Sequence, residues 1–230
     1  MIRLLAALAL LPTAAAAEQR DVALGSFERV RINGSFAVTI ATGAPAATVE
    51  GDRAAIGAVD LHADGTTLTI RQTNATRWGE QRQAATAPLR IRLTTPRLAA
   101  LTVIGGSVVT VAQLKGARVD LSAAGTATLA VAAVEADQLG VQLAGDGKIT
   151  LAGRATDARL VASGTGTIEA AALATNDLTV HLDGPGTVRA QARYTALVAS
   201  NGLGMVSVAG RPKCRVVASA GAPVTCGTGE

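Results

Sequence analysis

The chain has 230 residues, of which 49% are hydrophobic and 17% charged, so it can bury a core and is not a self-repelling disordered polymer. Its 21 Lys and Arg outnumber 17 Asp and Glu for a net charge of +4, but the two signs are interspersed. There is no basic run and no aromatic–basic interleaving, which argues against a nucleic-acid footprint. One Trp, one Tyr and two Phe leave little for a base- or sugar-stacking platform.

In chain order, Met1-Ile2-Arg3 opens with a positive charge, Leu4 to Leu11 is apolar, and Ala15-Ala16-Ala17 fits a small-x-small cleavage site. Residues 1–17 are therefore expected to be a signal peptide and 18–230 a single exported domain. No Cys stands at the cleavage point, which argues against a lipid anchor, and no stretch approaches the ~20 apolar residues of a membrane span. Residues 18–97 are expected to be less regular. Val30, Ile32, Gly34, Phe36, Val38 and Ile40 alternate; Val59, Leu61, Leu68 and Ile70 follow with a one-residue slip that reads as a bulge. Residues 71–88, with Arg71, Arg77, Trp78 and Arg82, read as a long polar loop. Leu89, Ile91 and Leu93 alternate again.

Residues 98–230 carry an internal repeat. Val103, Leu121, Leu143, Ala162, Leu182, Ser200 and Ser219 occupy equivalent positions, at spacings of 18, 22, 19, 20, 18 and 19 residues. Two residues earlier stands an apolar side chain in each copy, and two residues later a Gly in all but one. Even offsets are apolar or Gly and odd offsets polar or small, the period of strands with one face buried. A unit of about 19 residues cannot bury that face alone, whereas stacked coils about 4.8 Å apart can, giving a rod of about 29 Å over six steps. A β-sandwich is the alternative, and the Gly columns favour the solenoid.

Phe27-x-x-Val30-x-Ile32-Asn33-Gly34, Leu68-x-Ile70 and Leu93-x-x-Pro96-x-Leu98-x-x-Leu101, followed by Gly-rich β repeats, resemble the bacterial family described as "putative auto-transporter adhesin, head GIN domain". The resemblance implies an all-β, single-stranded, right-handed parallel β-helix-like solenoid in an exported protein, and it brings no catalytic residues. The aromatic girdles and alternating strands of a membrane barrel are not visible in this chain.

No catalytic, cofactor-binding or metal-ligating set is expected. Asp146, Glu169 and Asp183 fall at different offsets, so no carboxylate pair for glycoside cleavage stands out. Glu169 and Arg189 share an offset and read as a cross-strand ion pair. His181, Asp183 and Asn201 share a face without a strong third ligand and read as a solvated polar patch. Each Gly-x-Gly is followed by a strand, not by the helix of a phosphate site. Thr110, Thr128 and Thr150 start an outward Thr rank of the kind ice-binding solenoids use, but Glu169 and Arg189 interrupt it.

Cys214 and Cys226 are expected to form a disulfide, as a local pair in an exported chain. The function expected is a non-enzymatic binding, adhesion or envelope structural module, and the alternative is an envelope polysaccharide lyase or hydrolase on a β-helix. Trp78 with Arg77 and Arg82 is the candidate contact with an envelope or surface component, polysaccharide or protein; packing of Trp78 over the solenoid end is the competing role. Self-association through open coil edges is a further expectation, and the location is periplasm or cell surface.

Overall fold

The computed structural model describes residues 18–73, 89–219 and 221–228. The proposed signal peptide and the Arg77–Trp78–Arg82 segment lie outside them. Among the described residues the strands run β1 (Glu18–Ala23), β2 (Arg29–Asn33), β3 (Ala37–Thr42), β4 (Ala46–Gly51), β5 (Val59–Asp64), β6 (Thr67–Gln72) and β7 (Arg90–Thr95) in the first part. One short helix, α1 (Arg53–Gly57), separates β4 from β5. The regular part comprises β8 (Ala100–Gly105), β9 (Val108–Val111), β10 (Leu114–Gly125), β11 (Thr128–Gly145), β12 (Lys148–Ser163), β13 (Thr167–Asp183), β14 (Thr187–Ala192), β15 (Thr195–Asn201), β16 (Met205–Gly210), β17 (Lys213–Ala218) and β18 (Val224–Thr228).

Each coil contributes a stretch of strand to each of two parallel ladders, and β11, β12 and β13 run unbroken from the second ladder into the first ladder of the next coil, so the chain is a parallel β-solenoid. In the first ladder Val30, Leu101, Leu121, Val141, Leu160, Val180 and Val198 stand in register, every one at most 1% exposed. In the second, Val38, Val109, Leu129, Ile149, Ile168, Val188 and Val206 stand in register, each at most 2% exposed. These rows face each other and form one contiguous core. β-Branched and Leu side chains suit this because each sits on its own kind one rung away.

The corners between the ladders require Gly. Gly34, Gly105, Gly125, Gly145, Gly164, Gly184 and Gly202 all adopt positive φ, a region costly for side chains. A Cβ on Gly105 would stand 2.5 Å from the Gly34 carbonyl oxygen, so successive corners are in backbone contact.

This stacking corrects the repeat register. Val103 pairs with Ala123, not Leu121, and Ser200 with Ala218, not Ser219. The true column is Val103, Ala123, Leu143, Ala162, Leu182, Ser200, Ala218, with spacings of 20, 20, 19, 20, 18 and 18 residues. The sequence register is off by two residues at the second coil, which preserves the inward face, and by one at the last, which exchanges its faces. The Thr rank shortens accordingly, since Ala130 and not Thr128 lies between Thr110 and Thr150.

The first part differs from the expectation in two respects. No bulge is needed to place residues 59–70: β5 and β6 form an antiparallel hairpin about Gly65, and β6 joins the first ladder parallel to β2, Ile32 against Ile70. Arg71 belongs to this hairpin, 3.1 Å from Asp60 across the strands, rather than to the polar loop. β4 and β1 continue the second ladder beyond β7 through antiparallel pairings. At the other end β17 and β18 each pair on one side only, with β15 and β16, and leave their outer edges open.

Candidate functional site

A groove of about 880 Å³ runs along the solenoid axis at the corner between the end of one coil and the start of the next. Its shape follows from residue size. The rungs here are Gly116, Ala136, Ala155 and Thr175, with Ala174 beside Thr175 and Ala192 and Gly210 at the last two levels, so little side chain fills the corner. The register also shifts here, between Val131 and Val134 and between Thr150 and Ala152. The strands therefore bend in to bury Leu114, Val134 and Leu173 beneath the groove floor.

Charged side chains line its walls in axial order. Lys115, Glu135, Arg154 and Ala174 stack directly on successive rungs. Arg97 lies at one end; Arg193 and Arg211 lie at the other. The Arg193 N–H donates to the Thr175 carbonyl oxygen at 2.9 Å, which anchors that level to the one below. Lys115 Nζ stands 3.0 Å from Glu135 Oε2, and Arg154 donates to the other Glu135 oxygen. Hydrogen bonds from Lys115 and Arg154, with their charges, hold the Glu135 carboxyl below the usual carboxylate range. Arg97 pairs with Glu28 at 2.6 Å.

The residues singled out in the sequence fall elsewhere. Arg189 and Glu169 form the anticipated cross-strand pair at 2.5 Å on the outer face of the second ladder. His181 is flanked by Val161 and Ala199, and Asp183 by Ser163 and Asn201. Among the described residues no three potential ligands gather around one metal position. Cys214 and Cys226 are bonded, with Cα atoms 6.2 Å apart, and the bridge ties β17 to β18 across the terminal coil.

Sequence reasoning missed the groove because its wall residues occupy no single offset. Lys115, Glu135 and Arg154 precede the column of Ala123, Leu143 and Ala162 by eight residues. Arg193 and Arg211 precede Ser200 and Ala218 by seven, and Arg97 precedes Val103 by six. Corner length varies from coil to coil, so only the folded stack aligns them.

Fold and groove together define a parallel β-solenoid with a charged axial trough. The "putative auto-transporter adhesin, head GIN domain" family model matches residues 26–212, and the chain belongs to that family. Among solved structures it is similar to a putative adhesin from Bacteroides fragilis, at 19% identity over 92% of this chain and 96% of that one, with a TM-score of 0.83. A putative adhesin from Parabacteroides merdae (15% identity, 91% and 95% covered, TM-score 0.70) shares the fold. So does a putative lipid-binding protein from Parabacteroides distasonis (16% identity, 91% and 96% covered, TM-score 0.67). A comparison with curated proteins finds no match. Among the described residues no helix is long and apolar enough to cross a membrane.

Proposed function

We propose that the chain is an exported, non-enzymatic binding module of the bacterial envelope or cell surface, which holds an elongated ligand in its axial groove. The observation that carries this reading is the groove itself. It crosses seven levels, from Arg97 to Arg211, with walls rooted in one hydrogen-bonded stack. A rigid trough of small floor residues between charged walls suits a chain lying along it, and its walls need no rearrangement to bind. The family membership and the adhesin-like neighbours support a binding role, and the signal-like residues 1–17 support export.

Two measurements test it. Protease treatment of intact cells, then detection of the mature chain, separates surface from periplasm: loss from intact cells places it outside, and survival until the envelope is opened removes the adhesin role. Incubation with a panel of envelope polysaccharides should show retention without turnover. New reducing ends or unsaturated products would instead establish the lyase or hydrolase reading.

A second reading, self-association, is favoured by the open outer edges of β17 and β18 and by the exposure of Leu203, Val216 and Val217 at that end. Sedimentation across a concentration series checks it: a single monomeric species throughout would end it.

A further inference from the structure

The following rests on the groove being the binding site. We propose that its ligand is an acidic polysaccharide, whose anionic groups are read by Arg193 and Arg211 near the C-terminal end of the trough.

The groove is lined by five basic side chains, Arg97, Lys115, Arg154, Arg193 and Arg211, against two carboxylates, Glu135 and Asp137. The surplus is three positive charges, and it is unevenly distributed. Toward the N-terminal end, Glu28 holds Arg97, and Glu135 holds both Lys115 and Arg154. Arg193 and Arg211 take part in no ion pair among the described residues. The Arg193 guanidinium lies over the Tyr194 ring, 5.0 Å from its centroid, which orients the group without neutralising it. A guanidinium offers its planar fork of donors to a carboxylate or a sulfate, so anions are held in a defined orientation.

The remaining lining separates polysaccharide from other polyanions. Thr156, Asn176 and Gln191 place uncharged hydrogen-bonding groups between the charges, a match for a hydroxyl-rich chain. No aromatic side chain is among the lining residues, and neighbouring Tyr194 has a ring face under the Arg193 guanidinium, so bases would find little to stack on. Rungs repeat about every 4.8 Å along the axis, so a polymer lying parallel to it meets a donor at nearly every level.

The test is calorimetric titration of the purified mature chain with four probes: polygalacturonate, dextran sulfate, uncharged dextran and a single-stranded DNA of similar length. Both acidic polysaccharides should bind, with dextran and DNA at least about tenfold weaker, and added salt should weaken the binding. The double variant Arg193→Ala/Arg211→Ala should lower affinity for the acidic polysaccharides at least about tenfold, whereas Arg159→Ala, on the outer face of the first ladder, should not change it. Thermal melts check that each variant is folded. Ala174→Trp, which fills the trough at mid-length, should abolish binding of every probe that uses it.

Three results would overturn the proposal, and they differ in what they leave standing. Dextran binding as tightly as its sulfate, lost in Ala174→Trp but kept in the arginine variant, would refute the acidic ligand and preserve the groove. DNA binding as tight as that of the polysaccharides would refute the polymer class. Acidic probes that bind unchanged to both variants, or do not bind at all, would refute the groove as well.

Discussion

The hydroxyl of Ser107 donates to the carbonyl oxygen of Gly34 at 2.8 Å and accepts the N–H of Phe36 at 3.1 Å, buried at the joint between the first strands and the regular stack. Ser200, in β15, is buried equally deeply, and its hydroxyl has no partner among the described residues. The same residue type thus satisfies two backbone groups in one place and none in the other. Ser107→Ala should destabilise by about 1–3 kcal/mol, because two buried backbone groups lose their partner. Ser200→Ala should be neutral or stabilising by up to about 1 kcal/mol, because it removes a buried polar group that nothing satisfies. Urea unfolding of the two variants checks the opposite signs, with unchanged m-values required for the comparison.

The glycine corners predict a positional effect. Gly105 has φ +114°, and an added Cβ would meet the Gly34 carbonyl oxygen at 2.5 Å, an obstacle made of backbone. Gly105→Ala should therefore cost about 2–4 kcal/mol, from conformational strain and from separation of the two corners. Gly25, where an added Cβ has nothing within 4 Å, is the control: Gly25→Ala should change stability by no more than about 0.5 kcal/mol. Thermal unfolding distinguishes them.

Glu135 predicts a pH response of the groove. Its carboxyl titrates below the usual range because Lys115 and Arg154 bind its charged form. A folded-state value below the unfolded one means that the carboxylate contributes stability above the unfolded pKa, and that this contribution is lost as pH falls through the folded pKa. Protonation there releases Lys115 and Arg154 toward any ligand. Binding of dextran sulfate, which stays charged in acid, should therefore tighten as pH drops below the ordinary carboxylate range. Glu135→Gln should reproduce the tighter binding at neutral pH and flatten the profile. Titration calorimetry as a function of pH reads both; a profile unchanged by Glu135→Gln would show that another group controls it.

The disulfide predicts a local effect. Cys214 and Cys226 are 12 residues apart, and the terminal coil they close is exposed along the whole of β17. The double variant Cys214→Ala/Cys226→Ala should lose about 3 kcal/mol of local stability in the chain-entropy account. Hydrogen exchange should then quicken at β17 and β18 while the amides of β11 and β12 keep their protection, since a stack frays from its end.

Period-two alternation, read along residues 98–219, was sufficient to identify stacked strands, and Val103 with Gly105 or Leu182 with Gly184 sufficed to place a corner after an inward residue. The cross-strand pair of Glu169 with Arg189 was legible for the same reason: equal offsets in adjacent coils are neighbours in space. The register of the second coil was not legible. Leu121 and Ala123 are both apolar and both inward, so a two-residue slip leaves every hydrophobic side chain on the correct face, and only the hydrogen-bond ladder chooses between them. Residues 59–70 read as a bulged strand in the sequence, and not as the β5–β6 hairpin, because alternation carries no sign of strand direction.

The order of residues by itself determined which side chains face inward, where the corners need Gly and that the coils must stack, because period and backbone freedom are local properties. Tertiary structure alone decided the groove. Arg97, Lys115, Arg154, Arg193 and Arg211 follow one another at intervals of 18 to 39 residues, at unequal distances from the repeat column, and become neighbours only after each corner has taken up its own surplus length. The ladders fix the levels of the coils, and variable corners then bring unlike sequence positions onto one wall.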